Sequence, residues 1–397
     1  MLGGNANNSA NAGFVYTNSN NSPSNANANI SAHQCFLRLD NNLAAWQKKY
    51  VFKRVLVGWP KIPYKKQMKK IGNLFEKIVS IENLQLADEH ARRGKLKSYG
   101  VRIHDKHKEE NIKELQTMLL EKSFKTSKYH IFKIYEPKER DIYRLPYYPD
   151  RILHHAMMNV LEPVWLSLFT TDTYSCIKGR GIHGAMRAVD MALKDRERPK
   201  YCLKIDIRKY YPSIDHEVLK MIIRKKIKCK ETLNLLDEII NSAPGVPIGN
   251  YLSQYFANLY LAYFDHYIKE VLRVKYYFRY ADDMVFLSDN KEYLHGLLVS
   301  VNDYIENELK LSLKSNYQIF PIEKRGLDFV GFVFYHDHKL LRKRIKQNFC
   351  RKAAKLKKRK LTAKEYKMGI SSYLGWLKYT DSKHLYKKIL ENENNLR

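Results

Sequence analysis

Three carboxylates stand where their neighbours argue for chemistry rather than for solvation. The run Tyr201-Cys202-Leu203-Lys204-Ile205-Asp206-Ile207 has the period of a strand. Leu203, Ile205 and Ile207 share one face, which leaves Asp206 on the other near the strand's end. Residues 274–288 read as two strands around Ala281-Asp282-Asp283, a hairpin with adjacent carboxylates at its tip. An Asp-rich turn is ordinary by itself. Here Phe278, Tyr280 and the apolar run Met284–Leu287 predict a buried hairpin, and a buried tip rarely carries two unpaired charges. A divalent cation relieves that repulsion. Mg2+ is held by one or two protein carboxylates plus substrate phosphates. Two such ions about 3.5–4 Å apart stabilise both the attacking and the leaving oxygen of an in-line displacement. The chemistry this predicts is nucleotidyl transfer, with Mg2+ (two ions) as cofactor.

The flanking elements have to hold that arrangement. Apolar residues recur at helical spacing over 71–122, with Ser98–Ile103 reading as a short extended link. Residues 130–149 look extended, with Pro137 as a boundary, and a helix follows over Asp150–Phe169. His154 and His155 sit on its apolar face and read as structural. The second half alternates strands and helices, an α/β or α+β pattern. Between the two acidic motifs, Pro247 and Gly249 make a turn, and Asn250 is placed as an N-cap. The helix it opens buries Leu252, Phe256 and Leu259, and its free N–H groups point at the presumed site. Lys178-Gly179-Arg180-Gly181 is a flexible basic loop fit for backbone phosphates.

Composition narrows the partners. The chain of 397 residues carries 71 Lys and Arg against 41 Asp and Glu, a net charge of +30. Such a charge repels itself unless a polyanion neutralises it. No apolar run approaches the roughly 18 residues of a membrane span, so nucleic acid is the expected partner and no membrane is. Five widely spaced cysteines without a CxxC pair exclude a zinc ribbon or a disulfide scaffold. The start lacks a secretory signal, and reduced thiols in a cytoplasm follow. Residues 1–37 hold no Asp, Glu, Lys or Arg and are rich in Asn, Ala and Ser, which predicts disorder. A helix is expected around Asn41–Val57 and a basic segment from Lys61. Between Lys339 and Lys360, 12 of 22 residues are basic and none is acidic, which favours a helix tracking phosphates. A small helical unit over 362–390 would then pack on Tyr373, Leu374, Trp376, Leu377 and Leu385.

Tyr280-Ala281-Asp282-Asp283 with Asp206-Ile207-Arg208-Lys209-Tyr210-Tyr211 resembles motifs C and A of reverse transcriptases. The resemblance implies a right-hand polymerase of fingers, palm and thumb, with an antiparallel palm sheet and a helical thumb. It implies metal ligation by Asp206, the Ile207 carbonyl and Asp282, with Asp283 in support. Tyr211 matches the aromatic gate under the sugar. Arg140 and Lys138 (or Lys133) match the triphosphate-holding cations of the fingers. Arg151 matches a template-supporting residue, and Lys314 is the candidate general acid. Gly326-Leu327-Asp328-Phe329-Val330-Gly331-Phe332 resembles the primer grip. Lys178, Arg180, Arg342, Arg344 and Lys346 would contact nucleic acid.

Where most reverse transcriptases carry Gln-Gly-x-x-x-Ser-Pro, this chain has Ile248-Gly249-x-x-x-Ser253-Gln254. That is similar to the reverse transcriptases of diversity-generating retroelements, bacterial and phage elements that copy a template repeat with errors at adenines. Ile248 offers the nascent pair shape and apolar contact in place of a Gln's hydrogen bonds, which relaxes discrimination. The Asn-rich tail is similar to template-repeat sequence read in frame. The resemblance implies a template RNA, a cDNA/RNA primer duplex, dNTPs and a basic, oligomeric accessory variability protein as partners, in a bacterial or phage-encoded cytoplasmic system. The division is a tail at 1–37, N-terminal helices and fingers at 38–200, palm at 201–338 and thumb at 339–397, with no separate RNase H or endonuclease domain. The rival readings are a group II intron or retron-type enzyme of ordinary fidelity, and a non-catalytic RNA-binding protein with this fold.

Overall fold

A computed structural model describes residues 69–135, 139–195, 197–359 and 361–390, all inside one unit running from Met68 to Arg397. The Asn-rich tail, the helix expected at 41–57, most of the basic segment after Lys61, and Lys138 lie outside the described residues.

The first strands, β1 (His130–Ile134) and β2 (Arg140–Arg144), form an antiparallel hairpin with Phe132 opposite Ile142. The central sheet takes β3 (Tyr201–Asp206), β4 (Tyr276–Tyr280), β5 (Asp283–Ser288) and β6 (Gln318–Pro321) in the order β4-β5-β3-β6, with antiparallel pairing throughout. A smaller antiparallel sheet follows from β7 (Leu327–Phe329), β8 (Phe332–Phe334) and β9 (Lys339–Leu341). The α+β architecture with an antiparallel central sheet is the one expected.

Alternation along the central strands builds two cores. Leu203, Ile205, Tyr277, Met284 and Phe286 point to one face and bury against the helices Ile152–Leu166, Tyr251–Tyr260 and Lys291–Asn307. Cys202, Phe278, Val285, Leu287 and Phe320 point to the other, joining Met186 and Val189 of the helix Gly181–Leu193 and the phenylalanines of β7 and β8. With apolar side chains on both faces, a slip of one residue in register would exchange two different packed surfaces. The register that carries the carboxylates is therefore set by the cores.

Local expectations fail in three places. Ser98–Ile103 is not extended: Tyr99–His104 is a helix, because Val101 and His104, one turn apart, both bury. Asn250 precedes the helix Tyr251–Tyr260 without capping it. Its amide instead donates to the Tyr129 hydroxyl at 3.1 Å. In the C-terminal unit, Tyr366, Ile370 and Leu377 are buried, whereas Tyr373, Leu374, Trp376 and Leu385 are only partly covered. Among the described residues no helix is long and apolar enough to cross a membrane.

Candidate active site

The pairing of β3 with β5 sets Asp206 directly opposite Asp283, and the pairing of β4 with β5 sets Asp283 opposite Tyr280. Opposed residues of an antiparallel pair have Cα atoms roughly 4.5–5.5 Å apart. Two residues, Ala281 and Asp282, close the hairpin, and Ala281 takes the left-handed conformation at φ 55°. This tight turn brings the Asp282 carboxyl against that of Asp206. Burial, and then the charge of Asp206, push the Asp282 carboxyl up to about 6. Burial likewise raises Asp283, opposed by the charge of Lys204.

Two lysines balance part of this charge. The Lys204 ammonium lies 3.4 Å from Asp283 Oδ2 and donates to the Asp328 carbonyl at 2.5 Å. It thus links the second tip carboxylate to the backbone of β7. Lys314 pairs through Nζ with Asp206 Oδ2, and its backbone N–H donates to the Asp206 carbonyl at 2.9 Å. Asp206 Oδ1 and Asp283 Oδ1 are buried with no hydrogen-bond partner. Ile207 is buried and bridges Leu313. The ladder bonds beside that bridge belong to Asp206 and Arg208, so the bridge does not consume the Ile207 carbonyl. An all-oxygen donor set with two orphaned carboxylate oxygens fits a hard divalent cation. Among the described residues no group of three or more His, Cys, Asp or Glu is placed to hold a metal ion by itself.

Sequence reasoning missed the group that shapes the turn. Arg279 on β4 is fully buried. Its Nε donates to Asp265 Oδ1 at 2.7 Å and one terminal nitrogen donates to Asp265 Oδ2 at 2.5 Å. The other terminal nitrogen donates to the Ala281 carbonyl at 3.0 Å and to Asn258 Oδ1 at 3.3 Å. Thr173 and Tyr277 complete the Asp265 carboxylate with hydroxyl donors, each at 2.7 Å. A charged, bidentate pair therefore fixes the carbonyl next to Asp282. The available signal was an Arg inside an otherwise apolar strand, which requires a buried acid.

Tyr211 follows Asp206 after a turn in which Lys209 is left-handed at φ 44°. Its ring meets Tyr210 edge-on at 5.6 Å. Burial pushes its hydroxyl up to about 12, and the charges of Asp282 and Arg140 both reach it. Its carbonyl accepts from Val246 N–H at 2.9 Å. On the far side of the same turn, the Ile248 carbonyl accepts from Tyr143 N–H at 2.8 Å. Gly249 sits at φ 126°, where a Cβ would lie 2.6 Å from the Tyr143 carbonyl oxygen. The β2 strand is thus seated on residues 248–249, and Tyr211 lies within electrostatic reach of both Arg140 and Asp282. Gln254 is exposed one turn into the following helix.

The other candidate contacts divide. Lys178, Arg344 and Lys346 are exposed. Arg180 is not an open cation: it donates to the carbonyls of Thr170 and Thr173, the latter at 2.9 Å, and so ties its own loop. Arg342 is paired through Nε with Asp328 at 2.5 Å. Lys133 is paired with Glu139. Arg151 is half-buried, with Nε 3.4 Å from the Ala91 carbonyl. The turn between β7 and β8 runs through Val330 at φ 43° and Gly331 at φ 92°. A Cβ on Gly331 would stand 2.7 Å from the Trp376 ring.

Residues 136–334 match the family described as reverse transcriptase (RNA-dependent DNA polymerase). Protein YkfC of Escherichia coli K12 is 26% identical over 260 residues, covering 53% of this chain and 67% of that protein. A 91 kDa protein in the cob intron of Schizosaccharomyces pombe is 26% identical over 133 residues, covering 31% of this chain and 16% of its own. Among solved structures, telomerase from Candida albicans in complex with a fragment of telomeric RNA aligns at a TM-score of 0.42 and 12% identity, covering 69% of this chain and 60% of that one. The chain therefore spans only part of the length of these relatives. Asp206, Asp282 and Asp283 all fall inside the matched residues, and the chain belongs to the reverse transcriptase family.

Proposed function

We propose that this chain is an RNA-directed DNA polymerase that extends a primer 3′-OH with deoxynucleotides by nucleotidyl transfer at two Mg2+ ions. The observation that carries the reading is the convergence of Asp206, Asp282 and Asp283 on adjoining strand ends, with two carboxylate oxygens left unpartnered. Asp206, the Ile207 carbonyl and Asp282 would hold the ions. When bound, the ions would acidify the primer hydroxyl and neutralise the charge developing on the triphosphate. Asp283, held by Lys204, supports the site from β5. Tyr211 lies under the incoming sugar and rejects a 2′-OH. Arg140, with Lys138, receives the triphosphate. Lys314 leaves Asp206 and gives its proton to the departing pyrophosphate. The exposed cations of the helix Lys343–Lys357 follow the template–primer duplex through its phosphates.

The finer reading is a diversity-generating retroelement enzyme, making adenine-mutagenic cDNA from a template-repeat RNA together with a basic, oligomeric accessory variability protein. What supports it is the sequence Ile248-Gly249-x-x-x-Ser253-Gln254 in the turn on which Tyr143 of β2 rests. A second reading, an intron-encoded enzyme of ordinary fidelity, is favoured by the relative in the cob intron. Sequencing of cDNA made on a defined RNA template separates them. Wild type should misincorporate opposite adenine, and Ile248→Gln should reduce those errors selectively. An error spectrum unchanged by the substitution would remove Ile248 from fidelity, and an accurate wild type would favour the intron reading.

A further inference from the structure

Among the described residues, Val330 is the one β-branched residue held in the left-handed region, at φ 43°. That conformation is an outlier for such a side chain, and it persists only where the surroundings over-determine it. Val330 and Gly331 form the turn between β7 and β8, and Arg342 grips that turn twice. Its backbone N–H donates to the Gly331 carbonyl at 3.0 Å, and its guanidinium Nε lies 2.5 Å from Asp328 Oδ1. Arg342 immediately precedes the helix Lys343–Lys357, whose seven cations stand without one acidic residue. Ile345 of that helix and Trp376 both close on Gly331, where a Cβ would lie 3.0 and 2.7 Å from them. The strained turn is therefore fixed to the start of the basic helix.

Asp328 has a second attachment. Its carbonyl accepts from Lys204 Nζ at 2.5 Å, and the same ammonium lies 3.4 Å from Asp283 Oδ2. Among the described residues, Lys204 is the one cation paired with Asp283. Lys204 and Asp206 share a face of β3, because side chains alternate along a strand. The charges of Lys204 and Arg342 both act on Asp283.

We infer that Arg342 is a positioning residue, which acts through Asp328 and Lys204 to hold Asp283 in register with the start of the basic helix. The path is short and continuous: Arg342 to the Asp328 carboxylate, the Asp328 carbonyl to Lys204, and Lys204 to the second carboxylate of the catalytic tip. A duplex whose phosphates engage the helix is thereby held at a set distance from the carboxylates. A role for Arg342 as a phosphate ligand fits less well, because its Nε is engaged by a carboxylate and its N–H by a carbonyl. This assignment rests on the polymerase reading.

A double-mutant cycle, read by single-turnover primer extension of the full chain at saturating duplex, tests it. Arg342→Met should slow extension about fivefold, the most that a pair with side chains 35% and 49% exposed is worth. Lys204→Met leaves Asp283 without its partner and should slow extension by about tenfold or more. Because Arg342 acts through Lys204, adding Arg342→Met to Lys204→Met should change the rate by less than about twofold. Arg342→Lys keeps a cation for Asp328 and should return the rate to within about twofold of wild type. Duplex affinity and its salt slope should stay at the wild-type values in both Arg342 variants. Equal losses from Arg342→Met in the two backgrounds would overturn the relay. A reduced salt slope with an unchanged saturated rate would also overturn it, and make Arg342 a phosphate ligand.

Hydrogen exchange without metal, duplex or nucleotide reads the same coupling independently of catalysis. Lys204→Met should accelerate exchange of the Arg342 N–H, although residue 204 lies on the central sheet and residue 342 follows the smaller one. Unchanged protection there would overturn the inference whatever the activity. Failure of the polymerase reading would show differently, as a wild type that adds no deoxynucleotide while Lys204→Met still alters exchange at Arg342.

Discussion

Replacing Arg279 by Met removes a buried charge from beneath the catalytic turn. The guanidinium makes two charged hydrogen bonds to Asp265 and one to the Ala281 carbonyl. Both Arg279 and Asp265 are fully buried. Breaking one partner of such a pair costs about 3–5 kcal/mol, because the other charge stays buried. Asp265 would keep only the hydroxyls of Thr173 and Tyr277. Arg279→Met should therefore lower the urea-unfolding free energy by about that amount. Adding Asp265→Asn removes the stranded charge and keeps an acceptor for one of the two hydroxyls, while the other can turn to accept from the amide nitrogen, so the double variant should recover most of the stability. It should not recover activity. The Ala281 carbonyl would still lack its donor, a charge-assisted bond of about 1.5–3 kcal/mol. Loss of that much transition-state positioning is roughly 10- to 150-fold in rate. Single-turnover primer extension, well below the unfolding temperature, reads it as a fall in kcat with KM for deoxynucleotide little changed. A double variant that is stable and extends primers at the wild-type rate would refute the reasoning, and leave Arg279 as a structural ion pair only.

Gly249→Ala puts a Cβ 2.6 Å from the Tyr143 carbonyl at a φ of 126° that Ala resists, so hydrogen exchange at Tyr143 N–H should accelerate and extension should slow by tenfold or more, by roughly the 1–3 kcal/mol such strain costs. With chelator present, Asp282→Asn should stabilise the chain at pH 7–8. The folded Asp282 carboxyl is raised from 3.8 to about 6, so the native state holds this proton more tightly than the unfolded state does, and wild-type stability is lost as pH rises through that interval. The gain from Asn should be about 2–3 kcal/mol above pH 7 and vanish near pH 4; denaturant midpoints at the two pH values check the sign. Affinity for an RNA–DNA duplex should fall steeply with salt, and Arg344→Ala with Lys346→Ala should reduce the log–log slope by about 2. A flat plot would sink the phosphate-tracking helix.

How much was legible follows from what each feature depends on. The strand around Asp206 and the hairpin around Asp282 were readable because alternation of apolar residues is a local property, and burial on both faces makes the register unambiguous. The same alternation, interrupted by helical spacing, left α/β and α+β both open, and the family resemblance supplied the antiparallel α+β class. Arg279 was visible as a residue, yet its role needs Asp265 and Thr173, which come from distant parts of the chain. Lys204 was likewise hidden, because its partner carbonyl at Asp328 belongs to another sheet. Asn250 looked like a cap by residue type, but its amide nitrogen is anchored on the Tyr129 hydroxyl and its oxygen makes no cap bond. Arg180 and Arg342 looked like phosphate ligands because charge density is all a sequence offers, and the fold turns both toward internal acceptors. The helix at Tyr99–His104 was missed because its polar, Gly-containing sequence has weak periodicity, and tertiary burial of Val101 and His104 decides the conformation.

Single-turnover primer extension on an RNA template, comparing wild type with Asp282→Ala, tests the central claim most directly. The account expects wild type to add deoxynucleotides in the presence of Mg2+, and Asp282→Ala to bind the duplex with undiminished affinity while adding none. Equal incorporation by the two proteins would contradict it.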